Sequence, residues 1–258
     1  MDVVFHMRPL CCIFIFLALG LTSRARANDA ASVVIVVNAD DVDSVAIGEY
    51  YARQRGIPAA NIIRLQTSTS ETIGLREYVE TISNPLLDEL LAREWISGVK
   101  AAEKDRYGRA RLNVAVHRIR YLVTVRGIPL RFSNDSKQLE DGLQKIPQQF
   151  KVNRASVDSE LALLPAPPDL SMTAFLPNPY FEGKRVADND ANRIIKVSRL
   201  DGPTKADVIQ LIDRTLEAEK TGLIGRAYID SGGPHAKGDE WINQTGELAK
   251  AAYFDTEF

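Results

Sequence analysis

The first patterned segment of the chain is a continuous run of branched apolar residues at 33–37. Such a run is typical of a strand that is buried on both faces, as in a parallel sheet. Residues 45–55 predict a helix, and Gly56 can end it in the left-handed conformation. Residues 61–65 predict a second strand, so this β-α-β unit is expected to have a right-handed crossover.

Strand and helix patterns alternate along the rest of the chain. The further predicted elements are helices at 73–83 and 85–102, strands at 120–125 and 193–197, helices at 156–164 and 204–220, a strand at 225–230 and a helix at 239–253. Between them, residues 132–154 are polar and residues 165–179 are rich in proline, so neither segment predicts regular structure. The alternation predicts an α/β fold with a mainly parallel sheet and helices on both faces.

The segment after the last predicted helix, residues 254–258, is where the alternation places another strand. That strand is either an edge of the sheet or the beginning of a part that continues further, and we favour the second interpretation. Residues 28–258 are therefore expected to form a single α/β domain or the N-terminal part of a longer one, with a candidate internal boundary near residue 200.

Residues 1–27 have the pattern of a cleavable export signal. Arg8 precedes an apolar run at 10–21, which is short for a membrane span. Ala25 and Ala27 then provide the small residues of a cleavage site. We expect export to the periplasm, the cell surface or the medium; the alternative is an uncleaved N-terminal anchor.

Cleavage after Ala27 would change the composition of the chain. Both cysteines, Cys11 and Cys12, lie in the leader, so residues 28–258 offer no disulfide and no thiolate. The leader also holds 3 of the 32 basic and 1 of the 34 acidic residues, which leaves 29 and 33, a net charge of −4. This balance argues against nucleic acid or an anionic membrane surface as a partner. No second apolar run reaches the length of a membrane span.

The strong catalytic and cofactor signatures are missing from the sequence. No GxGxxG turn follows the first strand, and there is no Walker loop or GxSxG elbow. His117 and His235 are isolated, and no pair of histidines has the spacing of metal ligands. The sequence therefore indicates no particular cofactor or metal, and it leaves open whether the protein is an enzyme.

The candidate site residues follow from their positions. In open α/β sheets, ligands bind beyond the carboxyl ends of the strands. The residues that the pattern places at or near those ends are Asn38, Asp40, Asp41, Arg126, Asp158, Arg199, Asp201, Asp230 and Ser231. Carboxylates and arginines of this kind can hold a divalent cation, an anionic group or a peptide end. Alternatively they cap helices, as Asp43 or Ser44 can do for the first helix, and pair with one another.

Three blocks of the sequence resemble an uncharacterised family of exported bacterial proteins. The blocks are residues 36–62, with Arg55-Gly56-Ile57-Pro58; residues 121–131, with Gly127-Ile128-Pro129; and residues 156–161, with Asp158. That family occurs in bacteria that carry exosortase and the PEP-CTERM protein-sorting system. The resemblance covers most of residues 33–230 and implies a cell-envelope or secreted setting, with envelope or surface proteins as partners. It supplies no established activity.

A more distant likeness is to the gingipain-type, caspase-like cysteine peptidases. It is carried by residues 197–204, the helix that follows them and the strand that ends at Asp230. Those enzymes need a histidine and a cysteine downstream of this point. Because residues 28–258 contain no cysteine, no catalytic residue is carried over.

Three functional hypotheses follow from the sequence. We favour a non-catalytic accessory or binding component of an exosortase-type surface system. The second hypothesis is an incomplete or degenerate caspase-like hydrolase. The third is a metal- or anion-binding α/β domain that uses Asp40, Asp41, Asp158 and Asp230.

Overall fold

The computed structural model describes residues 29–133, 155–166, 194–222 and 225–258. Predictions for the leader and for most of the polar and proline-rich segments lie outside the described residues. The chain divides into two compact units between Ile209 and Gln210.

The first unit is a layered α/β structure. In chain order, its elements are β1 (Val33–Asn38), α1 (Val42–Arg55), β2 (Ile62–Leu65), β3 (Thr72–Ile73), α2 (Leu75–Tyr78), α3 (Asn84–Ala92), β4 (Ile96–Lys100), β5 (Leu112–His117), β6 (Tyr121–Val125), β7 (Arg131–Phe132), α4 (Val157–Ala162) and β8 (Lys196–Leu200). They are followed by α5 (Lys205–Thr221), β9 (Ala227–Tyr228), α6 (Ala236–Ala251) and β10 (Thr256–Glu257).

A parallel sheet with the strand order β2-β1-β6-β8 forms the centre of the first unit. The chain runs from β1 to β2 on one side and then crosses to β6 and β8 on the other side. The strand order therefore reverses between the carboxyl ends of β1 and β6, which is where ligands bind in open α/β sheets. The predicted α/β fold with a mainly parallel sheet is confirmed.

Helices cover both faces of this sheet. Alternate side chains of β1 point to opposite faces and are buried on each, which explains why the sequence of the strand is apolar throughout. Val34 and Val36 belong to a core cluster with side chains of α2, α3 and α4. On the other face, a β-carbon at Gly48 of α1 would overlap Cγ1 of Val37, so α1 packs its backbone directly against β1. Burial on both faces leaves no position in the centre of β1 for a polar side chain.

The helical stretch that starts at residue 75 differs from the prediction in two ways. It is not broken at Pro85, because a π-helical turn (Val79–Ser83) joins α2 to α3 and the proline lies in the first turn of α3. It ends at Ala92 and not at residue 102. Glu94 adopts a positive φ of 57°, and β4 then pairs with β5 in an antiparallel hairpin.

The fourth parallel strand, β8, lies three residues later than the predicted strand at 193–197. Ile195 is buried, but it precedes the strand. Within the described residues, β8 pairs with β6 alone, and all of its side chains are partly or largely exposed. An edge strand of this kind has a weaker apolar signal than the buried residues before it.

The second unit consists of the end of α5, helix α6 and the parallel pair β9–β10. The predicted strand at 225–230 is reduced to Ala227–Tyr228, and β10 lies where the alternation places a further strand. A β-carbon at Gly246 of α6 would lie 2.6 Å from Cε1 of Phe258 and 2.7 Å from Cγ1 of Ile229, so a glycine allows α6 to pack against this pair. No helix within the described ranges is long and apolar enough to cross a membrane.

Candidate functional site

Asn38, the last residue of β1, is a fully buried amide at the point where the strand order reverses. Its Nδ2 donates hydrogen bonds to the carbonyl oxygens of Thr67 and Gly127, each at 2.9 Å. Its Oδ1 accepts a hydrogen bond from the backbone N–H of Asp40 at 3.0 Å. A buried amide is tolerated only when its donors and acceptors are satisfied. Asn38 therefore joins the loops that follow β1, β2 and β6.

The first helix is capped by Asp41, and not by Asp43 or Ser44 as the sequence suggested. Oδ1 of Asp41 accepts hydrogen bonds from the backbone N–H groups of Asp43 at 2.9 Å and Ser44 at 3.3 Å. Helix α1 consequently begins at Val42, three residues earlier than predicted. The hydroxyl of Ser44 has a different role, since it accepts a hydrogen bond from the backbone N–H of Asn38 at 3.0 Å.

The loop after β6 passes very close to the start of α1. Gly127 has a φ of 94°, and a β-carbon there would lie 2.5 Å from Oδ2 of Asp41 and 3.1 Å from Cβ of Ser44. Both the backbone conformation and the close approach therefore require glycine. This contact sets the position of the neighbouring residue, Arg126.

Arg126 extends from the end of β6 toward the loop that follows β8. Its Nε donates to the carbonyl oxygen of Gly202 at 3.2 Å, and its Nη2 donates to that of Pro203 at 3.4 Å. Nη1 lies 3.6 Å from Oδ2 of Asp41, which is beyond hydrogen-bond distance. A guanidinium has five N–H donors, so Arg126 keeps donors that its neighbours among the described residues do not satisfy.

Arg199 and Asp158 form a closed, bidentate ion pair. Nε and Nη2 of Arg199 each lie 2.7 Å from an oxygen of Asp158. The same guanidinium donates to the carbonyl oxygens of Ile128 at 2.8 Å and Pro129 at 3.0 Å. The hydroxyl of Thr124 donates to Oδ1 of Asp158 at 3.0 Å. These contacts occupy both charged groups, so the pair braces the loop after β6.

A cavity of about 260 Å³ lies at this edge of the sheet, between the loops that follow β1, β2, β6 and β8. Its charged lining residues are Asp41, Glu71, Arg126 and Asp201. Its volume is slightly below the roughly 300–1,000 Å³ of pockets for drug-sized ligands. The cavity is therefore suited to a small polar molecule.

The structure separates the predicted site residues into three groups. The first group lies at this edge of the sheet, at the end of β1 or in the loops after the strands: Asn38, Asp40, Asp41, Arg126 and Asp201. The second group is the closed pair of Asp158 and Arg199 beside the loop after β6. Asp230 and Ser231 belong to the second unit. Sequence reasoning missed Glu71, because the loop after β2 carries no motif that distinguishes it from other polar loops.

Two of the aspartates that the sequence suggested for a metal have other partners. Asp158 forms an ion pair with Arg199, and Asp41 caps α1. Within the described ranges, no group of three or more histidine, cysteine, aspartate or glutamate side chains could hold a metal ion.

Glu160, on α4, is a second feature that sequence reasoning missed. Burial raises the pKa of its carboxyl to about 7, and the nearby charge of Arg109 offsets part of this effect. Burial also raises the pKa of Tyr78, and the charge of Glu160 adds to that rise. The position of Glu160 is fixed because Val157 and Leu161, on the same short helix, are fully buried.

The fold and the site together define an α/β protein with a charged cavity at the point where the strand order of its parallel sheet reverses. Comparison with known proteins adds no relative, since no family model, no curated protein and no solved structure matches the chain. The function proposed below therefore rests on the geometry of the cavity and on the sequence patterns.

Proposed function

We propose that this protein is an exported, non-catalytic binding protein that takes a small ligand with an anionic group in the cavity beyond β1, β6 and β8. The observation that carries this proposal is the contrast between two arginines. Arg199 is neutralised by the two oxygens of Asp158 at 2.7 Å. Arg126 lines the cavity, and its nearest acidic partner is 3.6 Å away.

Arg126 is well placed to bind an anion. Two of its nitrogens are oriented by backbone carbonyl groups, which are neutral, and the carboxylate of Asp41 at 3.6 Å offsets only part of its positive charge. Its side chain is 31% exposed, so a ligand in the cavity can reach it. Hydrogen bonds between a guanidinium and a carboxylate or phosphate are stronger than bonds between neutral groups. Because the guanidinium is already held in position, little side-chain freedom is lost on binding.

The cellular setting is proposed from the sequence. The pattern of residues 1–27 supports export, and the three resembling blocks support an accessory or binding role in an exosortase-type surface system, with envelope or surface proteins as partners. A caspase-like hydrolase is less well supported. Residues 28–258 contain no cysteine, and no histidine is among the described residues that line the cavity.

Titration of the full chain with acetate and with inorganic phosphate, followed by ¹H–¹⁵N NMR, tests this function. We expect shifts at Gly127 and Gly202, which flank Arg126 in space. R126Q should weaken binding about tenfold to a hundredfold, because one hydrogen bond between charged groups is worth roughly 1.5–3 kcal/mol. The matched control is R64Q, which removes an arginine that is paired with Glu49 at 2.8 Å.

R64Q should bind the anions as the wild-type protein does. The proposal is wrong if neither anion binds to the wild-type chain at millimolar concentration. It is also wrong if R126Q binds them as well as the wild type does, provided that circular dichroism shows the variant to be folded.

A further inference from the structure

The cavity contains a carboxylate that has no basic partner among the described residues. Asp201 follows directly after β8 and is partly buried. Its Oδ1 accepts a hydrogen bond from the backbone N–H of Gly202 at 2.8 Å. No lysine, arginine or histidine of the described ranges forms an ion pair with it.

The other two carboxylates of the cavity differ from Asp201 in this respect. Glu71 lies 3.3 Å from the guanidinium of Arg131. Asp41 caps α1 and lies 3.6 Å from Arg126. Among the three carboxylates that line the cavity, Asp201 is therefore the one to which a cationic group of a ligand would bind most favourably.

Asp201 and Arg126 are close in space, yet they do not neutralise each other. Arg126 donates from Nε to the carbonyl oxygen of Gly202, the residue next to Asp201. The arginine and the aspartate nevertheless form no ion pair. The backbone of Gly202 accepts one hydrogen bond from the arginine and donates one to the aspartate. Asp41 at 3.6 Å offsets part of the charge of Arg126, while Asp201 has no basic partner among the described residues.

We propose that the ligand is a zwitterion of the α-amino acid class, with its carboxylate at Arg126 and its ammonium group at Asp201. This ligand class rests on the proposed function, because it uses the same cavity and the same arginine. A simple anion would meet three carboxylates and one arginine in this cavity. A zwitterion adds a favourable contact with the unpaired carboxylate, and the volume of about 260 Å³ restricts the ligand to a small molecule.

Matched probes test this inference on the full chain. Glycine carries both charges, acetate carries only the carboxylate, and methylammonium carries only the cation. We expect glycine to bind at least tenfold more tightly than acetate in NMR titrations. D201N should remove that preference and leave acetate binding at least as strong, because the loss of a nearby negative charge favours an anion.

The Asn side chain in D201N keeps an oxygen that can accept the N–H of Gly202, so this variant is expected to fold. The control is D88N, which removes an exposed carboxylate that is paired with Lys100 outside the cavity. D88N should retain the preference for glycine.

The outcomes separate the ligand class from the function. If acetate binds through Arg126 but glycine binds no more tightly, the zwitterion inference is overturned and the anion-binding function stands. The same holds if D201N retains the preference. If neither acetate nor phosphate binds, the proposed function is overturned, and the zwitterion inference that rests on it is overturned with it.

Discussion

The side chain of Asn38 donates a hydrogen bond of 2.9 Å to the carbonyl oxygen of Gly127, 89 residues away in the chain. This bond joins the ends of two neighbouring strands, β1 and β6. It fixes the loop that carries Arg126 relative to the start of α1. The architecture of the cavity therefore depends on one buried amide.

Replacing Asn38 with alanine should destabilise the protein by about 2–4 kcal/mol, because the carbonyl groups of the buried Thr67 and the partly buried Gly127 lose a donor. Urea denaturation followed by circular dichroism measures this loss. N113A, at an exposed position of β5, is the matched control and should change the free energy of unfolding by less than about 0.5 kcal/mol. If N38A lowers the free energy of unfolding by less than about 1 kcal/mol, the amide does not hold the ends of β1 and β6 together.

Alanine substitutions at Gly127 and Gly108 separate two contributions to the loss of stability, a close contact of the added methyl group and an unfavourable backbone conformation. Both have positive φ values, 94° and 82°, but a β-carbon meets atoms of α1 only at Gly127. G108A should cost about 1 kcal/mol for its conformation alone. G127A should cost about 3 kcal/mol, since the added methyl group also displaces Asp41 or Ser44.

Chemical denaturation of the two variants, under the same conditions, provides the comparison. Equal losses in G127A and G108A would mean that the loop after β6 moves away from α1 at no cost. In that case the position of Arg126 would not be set by this contact.

The pair Asp158–Arg199 should show strong energetic coupling. Their side chains are 27% and 13% exposed, so D158N leaves a largely buried guanidinium without its partner and should cost about 2–3 kcal/mol. In a double-mutant cycle with R199M, we expect a coupling of more than about 1 kcal/mol. The more exposed pair Glu49–Arg64, in the cycle of E49Q with R64M, should show less than that. Similar coupling in the two cycles would contradict the structural role of Asp158.

The fold was predictable where local sequence and burial agree. The apolar run of β1 reflects burial on both faces, and Gly56 ends α1 with a φ of 64°, as its sequence indicates. The end of α3 was not predictable. Glu94 takes up a left-handed conformation without a glycine or asparagine to signal it, and the pairing of β4 with β5 then stabilises that turn.

The sequence predicted where the site lies, at the carboxyl ends of the strands, but it did not predict the role of each residue there. Sequence position identified Arg126 and Arg199 equally, because both follow from the same rule about parallel sheets. Their different roles depend on Asp158, which approaches Arg199 from a helix 41 residues earlier in the chain. A contact over such a distance leaves no local pattern, so the sequence could not separate a structural arginine from an available one.

Burial raises the pKa of the Glu160 carboxyl from 4.5 to about 7 in the folded protein. Between these two values the folded state holds a proton that the unfolded state releases. The stability of the protein should therefore fall as the pH rises from about 4.5 to 7 and should then level off, as far as this group is concerned. E160Q, which stays neutral, should melt at a higher temperature than the wild type at pH 8, and this difference should shrink toward pH 4.5.

Thermal unfolding of both proteins across this range measures the effect. E80Q is the matched control, because Glu80 is an exposed residue of the π-helical turn and its substitution moves no buried carboxyl group. E80Q should therefore not reproduce the pH-dependent change in melting temperature that is expected of E160Q. If the difference between E160Q and the wild type does not change with pH, the carboxyl of Glu160 is not held neutral by its burial. The attraction of Arg109 would then offset the whole of that burial, and the wild type would not lose stability through this group as the pH rises.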